Sequence, residues 1–135
     1  PKFSEQLVVY SENNLGAAIA SGTFLHDGMI VLPCSSNTLG AIASGITNTL
    51  VQRAASVTLK EKRTLVIAHR ECPLHLIDLR NLVTVSEAGA VVAPLSPGFY
   101  MLPKSIDDIV DFMVGKLVDA LGVEHGMPIR WGERM

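Results

Sequence analysis

Cysteine is scarce: Cys34 and Cys72 are too few to suggest a disulfide framework, and they fit a reduced, cytoplasmic protein. Charged residues make up only 18% of the chain, and the net charge of −2 argues against a general nucleic-acid or membrane-surface binder. No apolar run approaches the roughly 20 residues of a membrane span, and no basic-then-apolar signal peptide opens the chain. There is no G-x-S-x-G elbow, no Walker lysine loop and no G-x-G-x-x-G fingerprint. Aromatics are at 5%, whereas hydrophobic residues reach 48%, dominated by small and aliphatic side chains. That is the composition of a well-buried globular domain rich in parallel strands, and 135 residues fit one such domain. The chain starts at Pro1 rather than Met, which reads as a fragment or a processed product.

Short apolar runs alternate with amphipathic stretches. Met29-Ile30-Val31-Leu32 (stopped by Pro33), Leu65-Val66-Ile67-Ala68 and Ala90-Val91-Val92-Ala93 (stopped by Pro94) are too short for helices. They lack in/out alternation, as strands covered on both faces do. Helices are predicted over 38–44, 49–59 and 74–88, the last with Leu74, Ile77, Leu82, Val85 and Ala88 near helical spacing and Gly89 as C-terminal stop. The clearest helix spans 106–121: Ser105 and Asp108 form a capping-box pattern, Gly122 ends it, and Ile106, Ile109, Val110, Met113, Leu117 and Leu121 make one apolar stripe. This alternation predicts a parallel α/β sheet with right-handed crossovers. No internal repeat or linker interrupts it. The lone tryptophan, Trp131, reads as packing on its own or a neighbouring subunit.

Three segments sit where chemistry belongs in such a fold. The first apolar run leads into Ser35, Ser36, Asn37 and Thr38, whose hydroxyls and helix-start N–H groups suit phosphate or flavin oxygens; an ordinary helix-capping turn has the same composition. Arg53, Lys60, Lys62, Arg63 and Arg70 form a basic cluster opposed only by Glu61, with Arg53 and Lys60 on one helix face. Such a face takes an anion such as phosphate, or is simply solvated. Arg70 and Glu71 follow the second run and offer anion binding beside proton transfer. His69, Cys72 and His75 imitate metal-ligand spacing but straddle a strand end, a proline and a helix start, so no metal site is expected. Asp107, Asp108 and Asp111 match D-D-x-x-D, yet they follow a Ser N-cap, where acids favour the helix dipole.

In order along residues 22–131, the segments DGMIVLPCS, RAASVTLKEKR, RECPLHL, EAGA and PGFY resemble the flavin prenyltransferases, formerly called small subunits of aromatic-acid decarboxylases. The resemblance implies a three-layer Rossmann-like (flavodoxin-like) fold. It also implies transfer of the five-carbon unit of dimethylallyl phosphate to N5 and C6 of reduced FMN, without metal. The product serves a partner decarboxylase. Carried over by position, Ser35, Ser36, Asn37, Thr38 and Arg70 contact FMN. Arg53, Lys60, Tyr100 and Lys116 belong to the allyl-phosphate site, Glu71 handles a proton, and Trp131 closes over the substrate. The family is homo-oligomeric (dodecameric), with sites shared between subunits.

Two departures are visible: Lys116 stands where Arg is frequent, retaining charge without the bidentate fork, and Cys72 replaces a common Thr. The family's opening strand, its Gly-Ala-Ser-Gly-Ala phosphate loop and a second catalytic acid have no counterpart in these residues. Residues 1–135 are therefore expected to be the C-terminal two-thirds of a single flavoprotein domain from a longer protein. Two other readings stand beside prenyl transfer. The turn at Ser35, Ser36, Asn37 and Thr38 also resembles a flavin-dependent decarboxylase of cysteine-type substrates. A non-catalytic FMN-binding or assembly subunit is the third.

Overall fold

A computed structural model describes residues 6–127 and Ile129. Strands β1 (Gly28–Cys34), β2 (Thr64–His69) and β3 (Val91–Val92) form one parallel sheet in the order β1-β2-β3. The central strand shows why its sequence does not alternate. Leu65 and Ile67 enter a core with Val31, Leu39, Ile42 and Val85, while Val66 and Ala68 point the other way, onto Leu117. All four are fully buried, so one apolar run feeds two cores. β3 is short, but Ala93 N–H donates to Ile67 O and Leu95 N–H to His69 O, both at 2.9 Å, carrying the pairing to the carboxyl edge of the sheet.

Four α-helices flank this sheet among the described residues: α1 (Ser36–Ala43), α2 (Leu50–Lys60), α3 (Leu76–Glu87) and α4 (Ile106–Leu121). The first three share one core and α4 covers the opposite face, giving three layers. Each helix starts at a side chain that accepts a backbone N–H three residues on: Ser35, Thr49, His75 and Ser105. The last three are reciprocal capping boxes with Gln52, Asp78 and Asp108. Helix α4 has the bounds expected, closed by Gly122 in the left-handed region at φ 76°.

Several sequence expectations change. The first helix starts at Ser36 rather than at 38, because Ser35 takes the N-cap. Pro33 does not stop β1; the register slips between Val31 and Cys34, and Cys34 resumes the pairing opposite His69. A proline without an N–H is tolerated there because β1 borders the sheet of the described residues and the irregularity absorbs the missing donor. Helix α3 starts at Leu76 rather than at 74, because His75 takes the N-cap. Its expected stripe is only partly core: Val85 is buried, whereas Leu74 and Ile77 are exposed, as are Leu76, Leu79 and Val83. Likewise α4 buries Leu117 but exposes Ile106 and Val110.

Candidate functional site

The carboxyl ends of the strands lie side by side. Arg70 N–H donates to Cys34 O at 3.1 Å, and Leu95 N–H to His69 O at 2.9 Å. The turn opening α1, the Arg70-Glu71 pair and the segment after β3 therefore share one edge, where open α/β sheets take ligands.

Within that turn the hydroxyls are largely engaged. Ser35 Oγ accepts from Thr38 N–H at 3.3 Å and donates to Thr38 Oγ1 at 3.2 Å, so the capping role of Ser35 is real. Ser36 Oγ lies 3.4 Å from His69 Nε2 and is hydrogen-bonded to Asp78. What the turn presents outward is the exposed Asn37 side chain and the Ser36 and Asn37 N–H groups, which have no intrahelical acceptor. These donors at a helix N-terminus fit electronegative atoms of a flavin. Arg70 is exposed beside them, and Glu71, also exposed, accepts the Cys72 N–H at 3.1 Å.

Behind this surface lie groups that sequence reasoning missed. His69 and Asp78 are both only 4% exposed. The Ser36 hydroxyl bond holds the Asp78 carboxyl below the usual carboxylate range; burial opposes this, while the His75 N–H and the nearby His75 and His69 rings reinforce it. His75 Nδ1 accepts the Asp78 N–H at 3.0 Å and lies 2.9 Å from Asp78 Oδ2. One nitrogen cannot serve both: unprotonated it caps α3, and protonated it donates to the carboxylate. The His-x-x-Asp spacing was the one available signal for this cap. His69, Cys72 and His75 do not gather; among the described residues no three His, Cys, Asp or Glu side chains come together to hold a metal ion.

The cations divide into separate places. Arg63 is structural, its guanidinium donating to Phe24 O and Gly22 O at 2.7 Å each, which ties the loop before β1 to the start of β2. Arg53 and Lys60 are exposed on α2, with Lys60 paired to Glu61 at 3.3 Å. Lys60 lies just before Thr64, the first residue of β2, whereas Arg70 follows its last. At about 3.3 Å per residue, β2 holds them on the order of 20 Å apart. One chain does not bring Lys60 to Arg70.

Tyr100 and Lys116 are linked through Phe112. Tyr100, on the 3-10 turn Phe99–Met101, meets the Phe112 ring edge-on at 6.1 Å between centroids. Phe112 is one helical turn from Lys116, and both line an open groove of about 540 Å³ between α4 and the segment running from β3 through Pro94 and Ser96. Gly98 permits the approach, since a Cβ there would lie 2.5 Å from the Tyr100 ring and 3.0 Å from Phe112. Asp108 does what its position suggested, accepting the Lys104 and Ser105 N–H groups at 2.8 and 3.1 Å. Trp131 lies outside the described residues. Cys34 is buried, which pushes its thiol up to about 11, and so it is no nucleophile.

Residues 5–118 match the Flavoprotein family profile. The chain is 49% identical over 122 residues to the flavin prenyltransferase UbiX of Thermoplasma acidophilum, covering 90% of this chain and 68% of that one. A UbiX crystal structure in complex with FMN and dimethylallyl pyrophosphate has a TM-score of 0.88 and 46% identity, over 91% of this chain and 65% of that one. A dodecameric FMN-dependent UbiX-like decarboxylase from Escherichia coli has a TM-score of 0.87 and 44% identity, over 90% and 66%. The chain spans 56–68% of the length of the curated relatives it matches.

Proposed function

The chain belongs to the Flavoprotein family and, within it, to the flavin prenyltransferases, and we propose that it forms most of a site that moves a dimethylallyl group from dimethylallyl phosphate to reduced FMN. The observation that carries this reading is the shared carboxyl edge: the α1 turn, Arg70-Glu71 and the segment after β3 lie together there, and Pro94 and Ser96 of that segment line a groove with Lys116 and Phe112. Reduced FMN supplies the nucleophilic ring atoms. The Ser36 and Asn37 N–H groups, with Ser35, Thr38 and Asn37 around them, orient the flavin, and Arg70 lies against it. Tyr100 donates to the departing phosphate while Lys116 balances its charge, joined by Arg53 and Lys60. Glu71, exposed at the same edge, takes the proton released as the new ring forms. Trp131 is assigned to closing over the substrate.

Lys60 reaches this edge only from another copy of the chain, so the reading includes a homo-oligomer. The exposed Leu76, Ile77, Leu79 and Val83 on α3 and the dodecameric relative support it. We read residues 1–135 as one flavoprotein domain, in a cytoplasmic protein whose Cys34 and Cys72 are both free; no described helix is long and apolar enough to cross a membrane. The product is the cofactor of a partner decarboxylase. Anaerobic incubation of the gene-encoded protein with reduced FMN and dimethylallyl phosphate tests the proposal. Mass spectrometry is expected to find a flavin carrying one added five-carbon unit, and unmodified FMN would sink the idea. A second reading, decarboxylation of a cysteine-type substrate, draws on the Ser35, Ser36, Asn37, Thr38 turn; it predicts carbon dioxide release without flavin modification.

A further inference from the structure

Three segments meet at one hydroxyl. Ser36, first residue of α1, stands between His69, last residue of β2, and Asp78, in the first turn of α3. His69 and Asp78 are more than nine-tenths buried. The Ser36 hydroxyl favours the charged form of the Asp78 carboxyl, as a donor does. Ser36 Oγ lies 3.4 Å from His69 Nε2, and a serine that donates to Asp78 takes its second bond from an Nε2–H tautomer of His69. Asp78 Oδ2 is anchored in turn by the His75 N–H at 3.3 Å. A serine engaged in this way has no proton left to donate to a ligand. Its backbone, however, is fixed relative to Arg70, the residue after His69.

We infer that His69 is a positioning residue: by clamping the Ser36 hydroxyl it sets the spacing between the Ser36 and Asn37 N–H groups and Arg70, on which flavin binding depends. The inference rests on the proposed FMN site for its function, but the clamp itself can be read without flavin. Its geometry is specific. His69 acts through the nitrogen farther from its backbone, so glutamine, whose side-chain amide reaches a similar point with an N–H, preserves the bond, and alanine deletes it. Without the His69 side chain, the end of β1 is still tied to β2 by the Arg70 N–H to Cys34 O bond, but the first turn of α1 keeps only the local Ser35–Thr38 cap and its core packing.

The test uses the gene-encoded protein and the variants His69→Ala and His69→Gln, with amide hydrogen exchange and FMN titration on each. In His69→Ala, exchange at the hydrogen-bonded Leu39 and Arg70 N–H groups, which donate to Ser35 O and Cys34 O, is expected to quicken by about tenfold, confined to these segments, and FMN binding to weaken by about tenfold; His69→Gln should restore both to within about threefold. Unchanged exchange in His69→Ala overturns the clamp, whatever FMN does. Faster exchange throughout the chain in both variants also overturns it, leaving His69 a merely structural residue. Local quickening with unaltered FMN affinity overturns the positioning role. If the unsubstituted protein binds no FMN, the functional reading fails instead, and the exchange data still decide the clamp.

Discussion

Asp78 gives up its proton more readily than an ordinary aspartate because a serine hydroxyl and a backbone N–H both favour its charged form. A carboxyl whose folded-state value is depressed stabilises the fold above its unfolded value and loses that contribution as pH falls through the folded one. The stabilisation is therefore complete at neutral pH and disappears below the ordinary value of 3.8. Asp78→Asn should lower the urea midpoint at pH 7, and the gap to the unsubstituted protein should narrow towards pH 3. An equal gap at both pH values would contradict the assignment. At this scale the sequence disclosed the strand-end residues well: Ser35, Arg70 and Glu71 follow apolar runs directly, and the fold puts strand ends at one edge. The Ser36–His69 contact was not legible, because it joins residues 33 apart and depends on the parallel pairing of β1 with β2. Arg63 misled for the reverse reason: a guanidinium engaged by Phe24 O and Gly22 O looks in the sequence like one more member of a basic cluster.

Elements with their own punctuation were readable from end to end. Helix α4 carries its start in Ser105 and Asp108 and its stop in Gly122, so local chemistry alone sets its bounds. Helix α3 has an unusual cap, His75, and an apolar surface that the described chain does not cover; hydrophobic periodicity identified a helix but not which side meets the core. The turn at Phe99–Met101 is the element most sensitive to substitution near the proposed phosphate site, because Gly98 leaves no room for a side chain against Tyr100 and Phe112. Gly98→Ala should displace Tyr100 at an overpacking cost of about 1–3 kcal/mol. The expected readout is weaker dimethylallyl phosphate binding, by about tenfold, with FMN affinity unchanged. Loss of FMN binding, or no loss of either, would show that the turn does not position Tyr100 for phosphate.

Across the whole molecule, the length of β2 separates Lys60 from Arg70, so the proposed site, which uses both, draws on two copies. Copies bearing Lys60→Ala and copies bearing Arg70→Ala should each be inactive, yet regain about a quarter of full activity when co-assembled, as random pairing across a shared interface predicts. No recovery would place both residues in the same site of one chain, against the strand geometry. Composition and periodicity disclosed the α/β class, but the surface behind the proposed oligomer was not readable there: α3 exposes Ile77 at 63% and Leu76 at 58%, values meaningful only once the core is known. The proposed prenyl transfer is itself a chemical event. Its most direct test is anaerobic reaction of the gene-encoded protein with reduced FMN and carbon-labelled dimethylallyl phosphate, counting label on the flavin against inorganic phosphate released. One phosphate per labelled flavin, abolished together in Glu71→Gln, is the predicted result; phosphate release without label on the flavin would contradict it.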